Sequence, residues 1–299
     1  MSRVVTLPGP LDMKRTLGRL TLALGDPTTR VDGGAHWFAF HTEAGPASVR
    51  YEQRDSETVE VDAFGPGAEV ALASAGAHLG ADDRPESFRS DHPVVAPLIA
   101  RFDGLRFGRS GRVLERLVPA ILGQKVTGKG AARSWRELVW ATSERAPGPV
   151  QSLWLPPTAA QLRRLAYQDF HPFGVERKRA MIILSVVRRA KTLERLATAD
   201  PELAWSRLNA FHGIGPWTAA NVLSGARGDA DLVPVGDYHF CHMVVHAFTG
   251  KDRGSDDEMM ELLAPFAPHR GRVVAMLMAA GVSAPRFGPR MPVRDIRKQ

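Results

Sequence analysis

Apolar residues are spaced in two different ways along this chain. Val49 and Tyr51 alternate with Arg50 and Glu52, and Val59 and Val61 alternate with Glu60 and Asp62. A period of two buries one face of a strand, so 37–41, 48–53 and 58–63 predict strands of an antiparallel sheet, with a helix over 68–79. From Val113 the spacing changes: Val113, Leu114, Leu117, Val118, Ile121 and Leu122 fall on one helical stripe, although Pro119 argues against a single straight helix. Ala180, Ile183, Leu184 and Val187 repeat the stripe. Ser255 with Glu258 three residues on is a capping box for a helix carrying Met259, Met260, Leu262 and Leu263. Residues 273–280 are apolar all round, which predicts a buried helix ended by Gly281. The fold class is therefore a small α+β N-terminal domain, a sheet with a helix over residues 1–90, followed by a mostly α-helical region over 91–299. Between them, 84–112 holds Pro85, Pro93 and Pro97 with Arg101, Arg106, Arg109 and Arg112, and reads as a crossover.

One stretch stands apart, from Leu208 to Ala220. Asp200 and Pro201 start a helix ahead of it, because aspartate caps free N–H groups and proline at the first position has none to lose. Phe211 to Gly215 makes a turn in which Gly213 and Gly215 stand where positive φ or a close backbone approach is needed. Pro216 then starts the next helix. A Gly-x-Gly turn feeding a helix N-terminus points free N–H groups outward, which suits an anion such as a phosphate; taken alone, the same residues also make a tight turn with no ligand.

Composition narrows the setting. The formal net charge of +7 suits a polyanionic partner. Cys241 is the single cysteine, which excludes an internal disulfide and a four-cysteine zinc or iron–sulfur site. There is no run of about 18 apolar residues, and residues 1–11 lack the apolar core of a secretory signal, so the reading is a cytosolic protein without a membrane segment. The basic residues Arg286, Arg290, Arg294, Arg297 and Lys298 read as a solvated terminus, with a phosphate-contacting arm as the alternative.

The run 208–220, followed by Val233-Pro234-Val235-Gly236-Asp237-Tyr238-His239, resembles the helix-hairpin-helix motif of DNA glycosylases and the Gly/Pro-rich loop with an aspartate that follows it. The resemblance spans nearly the whole chain and is to bacterial 3-methyladenine DNA glycosylases of the inducible, broad-specificity type (type II). It implies a helical region in two lobes with the active site in the cleft between them. It also implies a monomer acting on double-stranded DNA in the cytoplasm, at the nucleoid, in base excision repair: an alkylated base such as 3-methyladenine or 7-methylguanine is flipped out and removed, leaving an abasic site.

Breaking an N-glycosidic bond leaves positive charge on the sugar, which a carboxylate stabilises while it orients the attacking water. Asp237, 22 residues after Gly215 and just before a helix starting near Tyr238, matches the catalytic position of the family; without the motif it would read as a turn former or helix cap. Bifunctional relatives carry a lysine two residues after the second hairpin glycine. Trp217 stands there, which implies a monofunctional enzyme without lyase activity.

The same resemblance supplies the remaining candidates. Residues 121–127 match the segment that wedges into DNA, with Lys125 where a leucine is common, so Lys125 or Gln124 is expected to fill the gap by hydrogen bonding. Gly213, Ile214, Gly215 and Thr218 are the expected grip on the DNA backbone. Trp217 and Tyr238 would stack on a cationic base, with Asn221 in place of a pocket tyrosine and His269 in place of a tryptophan. Main-chain carbonyls of Asn209, Phe211 and Ile214 match those holding a structural monovalent cation, Na+ or K+, and no other cofactor is implied. Two rival readings stand beside this one. His239, His242 and His246 lie on one helical face and with Asp237 could hold a divalent metal in a hydrolase, or the chain binds damaged DNA without cutting it and Asp237 is only a cap.

Overall fold

The computed structural model describes residues 1–285. Strands β1 (Ser2–Thr6), β2 (Thr29–Asp32), β3 (Ala35–Thr42), β4 (Gly45–Gln53) and β5 (Thr58–Phe64) form one antiparallel sheet in the order β1-β5-β4-β3-β2. The alternation of β5 survives intact: Val59, Val61 and Ala63 are buried and their neighbours are not. The edge strands β1 and β2 bury almost nothing of their own, so they carry too little alternation to be read from sequence. Helices α1 (Met13–Gly18) and α2 (Ala68–His78) close one face, with Leu17, Ala71 and Ala75 against Phe40, Val49 and Val61.

The pattern of two expects a single buried face, yet β3 is buried continuously from Ala35 to Phe40. Its outward side chains Trp37 and Ala39 pack on Leu153 and Leu155. The covering loop is pinned by hydrogen bonds from Ser48 Oγ to the Pro147 carbonyl and, at 3.0 Å, from His41 Nε2 to the Pro156 carbonyl.

The crossover contains α3 (Ala96–Arg101), and Arg106 in it is buried, donating to the carbonyls of Pro10 at 3.0 Å and Gly80 at 3.3 Å. Then come α4 (Val113–Leu122), α5 (Gly128–Thr142), α6 (Ala159–Leu162), α7 (Arg177–Arg188), α8 (Ala190–Glu194), α9 (Pro201–Asn209), α10 (Pro216–Arg227), α11 (Phe240–Thr249), α12 (Asp256–Leu263) and α13 (Arg270–Ala279). α4 runs unbroken through Pro119, whose own carbonyl accepts from Gly123 N at 3.0 Å. The Ser255–Glu258 capping box forms at the start of α12. In α13, Val273 to Leu277 are buried as the apolar pattern predicts, but Met278 is about half exposed, and Gly281 follows at φ +76°.

The helices form two cores. The first unites α4 to α10 through Leu117, Ile121, Trp135, Ile183, Leu208 and Leu223. The second joins Phe102 and Phe107, ahead of α4, to Val244, Met259, Leu263 and Val273 of α11 to α13. The chain therefore enters the second lobe, builds the first and returns, so the junction between the lobes is made of residues far apart in sequence. Arg272 and Asp83, whose side chains are only 3% and 7% exposed, pair across 2.5 Å beside this junction. Among the described residues no helix is long and apolar enough to cross a membrane. The basic residues Arg286, Arg290, Arg294, Arg297 and Lys298 lie outside the described residues.

Candidate active site

The hairpin forms from the start signals in the sequence. Asp200 Oδ1 accepts from the N–H groups of Glu202 at 3.0 Å and Leu203 at 3.1 Å, with Pro201 opening α9. Gly213 has φ +82°, and a Cβ there would overlap the Ile182 side chain of α7. Gly215 does not take the first of the two expected roles: its φ is −108° and open space surrounds the place of a Cβ, so what it contributes is bare backbone rather than an unusual conformation. No side chain caps α10, which leaves its first-turn N–H groups and the positive end of the helix unsatisfied.

Two residues expected to touch DNA have side chains buried inside the protein. Ile214 is buried in the first core and its N–H donates to the Phe211 carbonyl at 3.0 Å. Thr218 is buried, and its hydroxyl accepts from Gln124 Nε2 at 2.9 Å. The same Gln124 amide donates to the Gly213 carbonyl at 2.9 Å. Gln124 thus braces the 123–126 turn against the hairpin. Lys125 is exposed at the tip of that turn, with φ +56°.

Asp237 lies in the loop before α11. Its Oδ1 accepts from the N–H groups of His239 at 2.9 Å and Phe240 at 3.3 Å, and its Oδ2 accepts from Trp217 Nε1 at 3.0 Å. The carboxylate therefore caps α11 and is aimed by an indole that starts in the hairpin. The far edge of that indole lies over Gly123, where a Cβ would stand 3.4 Å from Trp217 Cη2. Hairpin, turn and acid form one connected unit.

A cavity of about 340 Å³ opens between the lobes, lined by Arg19, Arg116, Asn221, Pro234, Phe240 and Met278 among others, a volume in the range of small-molecule sites. Asp237 does not itself line the cavity but is tied to two residues that do: its carboxylate accepts from the N–H of Phe240 and its own N–H donates to the Pro234 carbonyl at 3.2 Å. Asn221 reaches the cavity with its amide tied to the Trp217 carbonyl at 2.7 Å. The other expected pocket residues do not line it. Trp217 faces Asp237, and Tyr238 is 64% exposed with its ring edge-on to His239 and His242. His269 packs on Phe88 and bonds Ser87 Oγ at 3.2 Å, because the start of α13 turns toward the crossover. The sequence reading missed Arg19 and Arg116. The available signal was a charge set between Leu17 and Leu20, which are both buried. Burial, then the neighbouring Arg116 and Arg272, lower the Arg19 pKa to about 9, and burial lowers that of Arg116 to about 10.

The metal-hydrolase rival finds no geometry. His242 Nδ1 lies 2.9 Å from the Gly254 carbonyl and His246 Nδ1 lies 2.9 Å from that of Lys251, while His239 meets Tyr238. Among the described residues no three His, Cys, Asp or Glu side chains converge as a metal site. At the hairpin, the Asn209 side-chain oxygen is buried without a hydrogen-bond partner among the described residues, while of the three carbonyls expected to hold a monovalent cation that of Phe211 accepts from Ile214 N at 3.0 Å.

No family model matches the chain. The Bacillus subtilis (strain 168) protein YfjP, named provisionally as a DNA-3-methyladenine glycosylase, is 23% identical over 283 residues, spanning 89% of this chain and 94% of that protein. Among solved structures, the 3-methyladenine DNA-glycosylase from Archaeoglobus fulgidus superposes with a TM-score of 0.80 at 20% identity, over 93% of this chain and 98% of that one. The Clostridium acetobutylicum 8-oxoguanine glycosylase/lyase, in complex with double-stranded DNA, superposes with a TM-score of 0.71 at 14% identity, over 93% of this chain and 97% of that one. The sheet followed by two helical lobes is therefore the fold of these glycosylases, and it extends over nearly the whole chain, as the hairpin resemblance implied.

Proposed function

We propose that this chain, which has the fold of the helix-hairpin-helix DNA glycosylases of the 3-methyladenine type, removes damaged bases, alkylated ones included, from double-stranded DNA. The observation that carries the reading is Asp237: a carboxylate held by Trp217 of the hairpin and hydrogen-bonded to Phe240, which lines the interlobe cavity. A nucleotide must leave the stack for its glycosidic bond to be reached. The hairpin and the uncapped start of α10 grip the phosphates of the flipped strand, and Lys125 at the exposed tip of the 123–126 turn enters the space left behind. Asp237 then faces the sugar, where its charge stabilises the oxocarbenium-like state and orients water onto the anomeric carbon as the base departs.

The reaction we infer is monofunctional. Trp217 occupies the position of the lyase lysine and its N–H is committed to Asp237, so no amine is held there to attack the sugar. A Na+ or K+ held by the carbonyls of Asn209, Phe211 and Ile214 would stiffen the hairpin and add positive charge beside the phosphate. One chain supplies hairpin, acid and cavity, in keeping with a monomer working where the chromosomal DNA is.

The test is incubation of the protein with duplexes carrying 7-methylguanine, 1,N6-ethenoadenine or hypoxanthine. Free base and alkali-labile sites are expected from at least one, with strands intact before alkali and activity unchanged by a chelator. Binding without release of any base would favour the non-catalytic rival, and strand breaks before alkali would refute the monofunctional reading.

A further inference from the structure

The loop that carries Asp237 is held from a second side. The N–H of Gly236, the residue before the acid, donates at 3.0 Å to Oδ2 of Asp256, which opens α12. Gly236 has φ +92°, and a Cβ there would stand 4.0 Å from Trp217 Cβ. Glycine has the widest choice of backbone angles of any residue, so a glycine just ahead of the acid leaves its direction to whatever fixes the neighbouring peptides. Two bonds do so here: Gly236 N to Asp256, and Asp237 N to the Pro234 carbonyl at 3.2 Å. The second lies within the loop and moves with it. The first ties the loop to a different helix.

Acids in the first turn of a helix ordinarily serve its macrodipole, and α12 has three, Asp256, Asp257 and Glu258. Its start is already capped by the Ser255–Glu258 box, so Asp256 is not needed for that. Asp257 is exposed, whereas Asp256 Oδ1 is buried with no hydrogen-bond partner among the described residues, which turns this carboxylate inward onto the loop. Its charge also reaches the start of α11, where the Cys241 thiol is pushed up by burial first and by Asp256 second. We infer that Asp256 is a positioning residue for Asp237. It fixes the Gly236 peptide, and through it the direction in which Asp237 presents its carboxylate, by accepting a hydrogen bond and not by its charge.

The inference rests on the glycosylase reading, and the test separates the two. Single-turnover excision at saturating protein is measured on whichever of the 7-methylguanine, 1,N6-ethenoadenine and hypoxanthine duplexes the parent acts on fastest. Asp256→Ala loses the acceptor and is expected to slow base release by about tenfold, the scale of one hydrogen bond, with duplex affinity unchanged. Asp256→Asn offers an amide oxygen to the Gly236 N–H without the charge, and should recover most of the parent rate. Asp256→Glu keeps the charge but sets the acceptor one methylene off, and should stay slow, which also covers an Asp256→Ala protein that fails to fold. Asp257→Ala removes a first-turn charge that does not reach the loop, and should match the parent. Parent rates in Asp256→Ala and Asp256→Glu, an Asp256→Asn protein as slow as Asp256→Ala, or an equal slowing in Asp257→Ala overturns the inference and leaves the glycosylase reading standing. A loss of affinity in Asp256→Ala as large as its loss of rate makes the residue structural and likewise overturns it. No release of base by the parent from any of the three duplexes overturns both.

Discussion

Trp217 Nε1 donates to Asp237 Oδ2 across 3.0 Å, joining the first turn of α10 to the loop before α11. The hairpin therefore carries the acid as well as the grip. Asp237→Asn places an N–H against one of the carboxylate's three donors, whichever way the amide turns. Base excision should fall by about 100-fold or more, the scale of losing a group that acts on developing charge, with duplex affinity within a few fold of the parent. Undiminished release of base would remove Asp237 from the chemistry. Trp217→Phe keeps the ring over Gly123 but deletes the donor, and should slow excision by roughly tenfold, the effect of one hydrogen bond of about 1.4 kcal/mol.

Gln124 is expected to matter for binding rather than for chemistry. Its two bonds, to Gly213 and Thr218, hold the 123–126 turn on the hairpin. Each is worth about 1 kcal/mol, so Gln124→Ala should weaken duplex binding by roughly tenfold, read by fluorescence anisotropy at fixed salt. Single-turnover excision from saturated complexes should change less than binding does.

The two hairpin glycines should respond differently to alanine. Gly213→Ala meets both positive φ and the Ile182 side chain, and should destabilise the fold by about 1–3 kcal/mol. Gly215→Ala meets neither, so its melting temperature should match the parent within about 2 °C. If the backbone there approaches phosphate, the added methyl weakens DNA binding alone, which calorimetry and anisotropy on the same variant distinguish.

Acid should destabilise the protein from near neutrality downward. His78 is buried between Tyr51 OH, 2.6 Å from Nδ1, and Arg112, 3.3 Å from Nε2. Burial first, and the Arg112 charge second, hold its pKa well below the ordinary 6.5. The unfolded chain then binds a proton that the folded chain refuses. Stability is complete above pH 6.5 and declines as pH falls through the window below it, at up to about 1.4 kcal/mol per pH unit. Melting curves between pH 7.5 and 5 should show this slope, and His78→Leu should flatten it. A slope unchanged in that variant would assign the acid sensitivity to other groups.

What the sequence by itself determined was chemistry whose partners lie within a few residues. Asp200 capping α9, the Ser255–Glu258 box, the left-handed Gly213, the alternation of β5 and the loop position of Asp237 are all local, so residue type and spacing suffice to read them. The tertiary structure alone decided what depends on distant segments meeting. It buried the second face of β3 under residues 143–156, turned Gln124 and Thr218 into an internal brace, and left Tyr238 on the surface. It also brought Arg19 from just after α1, Arg116 from α4, Asn221 from α10 and Met278 from α13 around one cavity. The lining of that cavity is drawn from four separate parts of the chain, and no single stretch carries it.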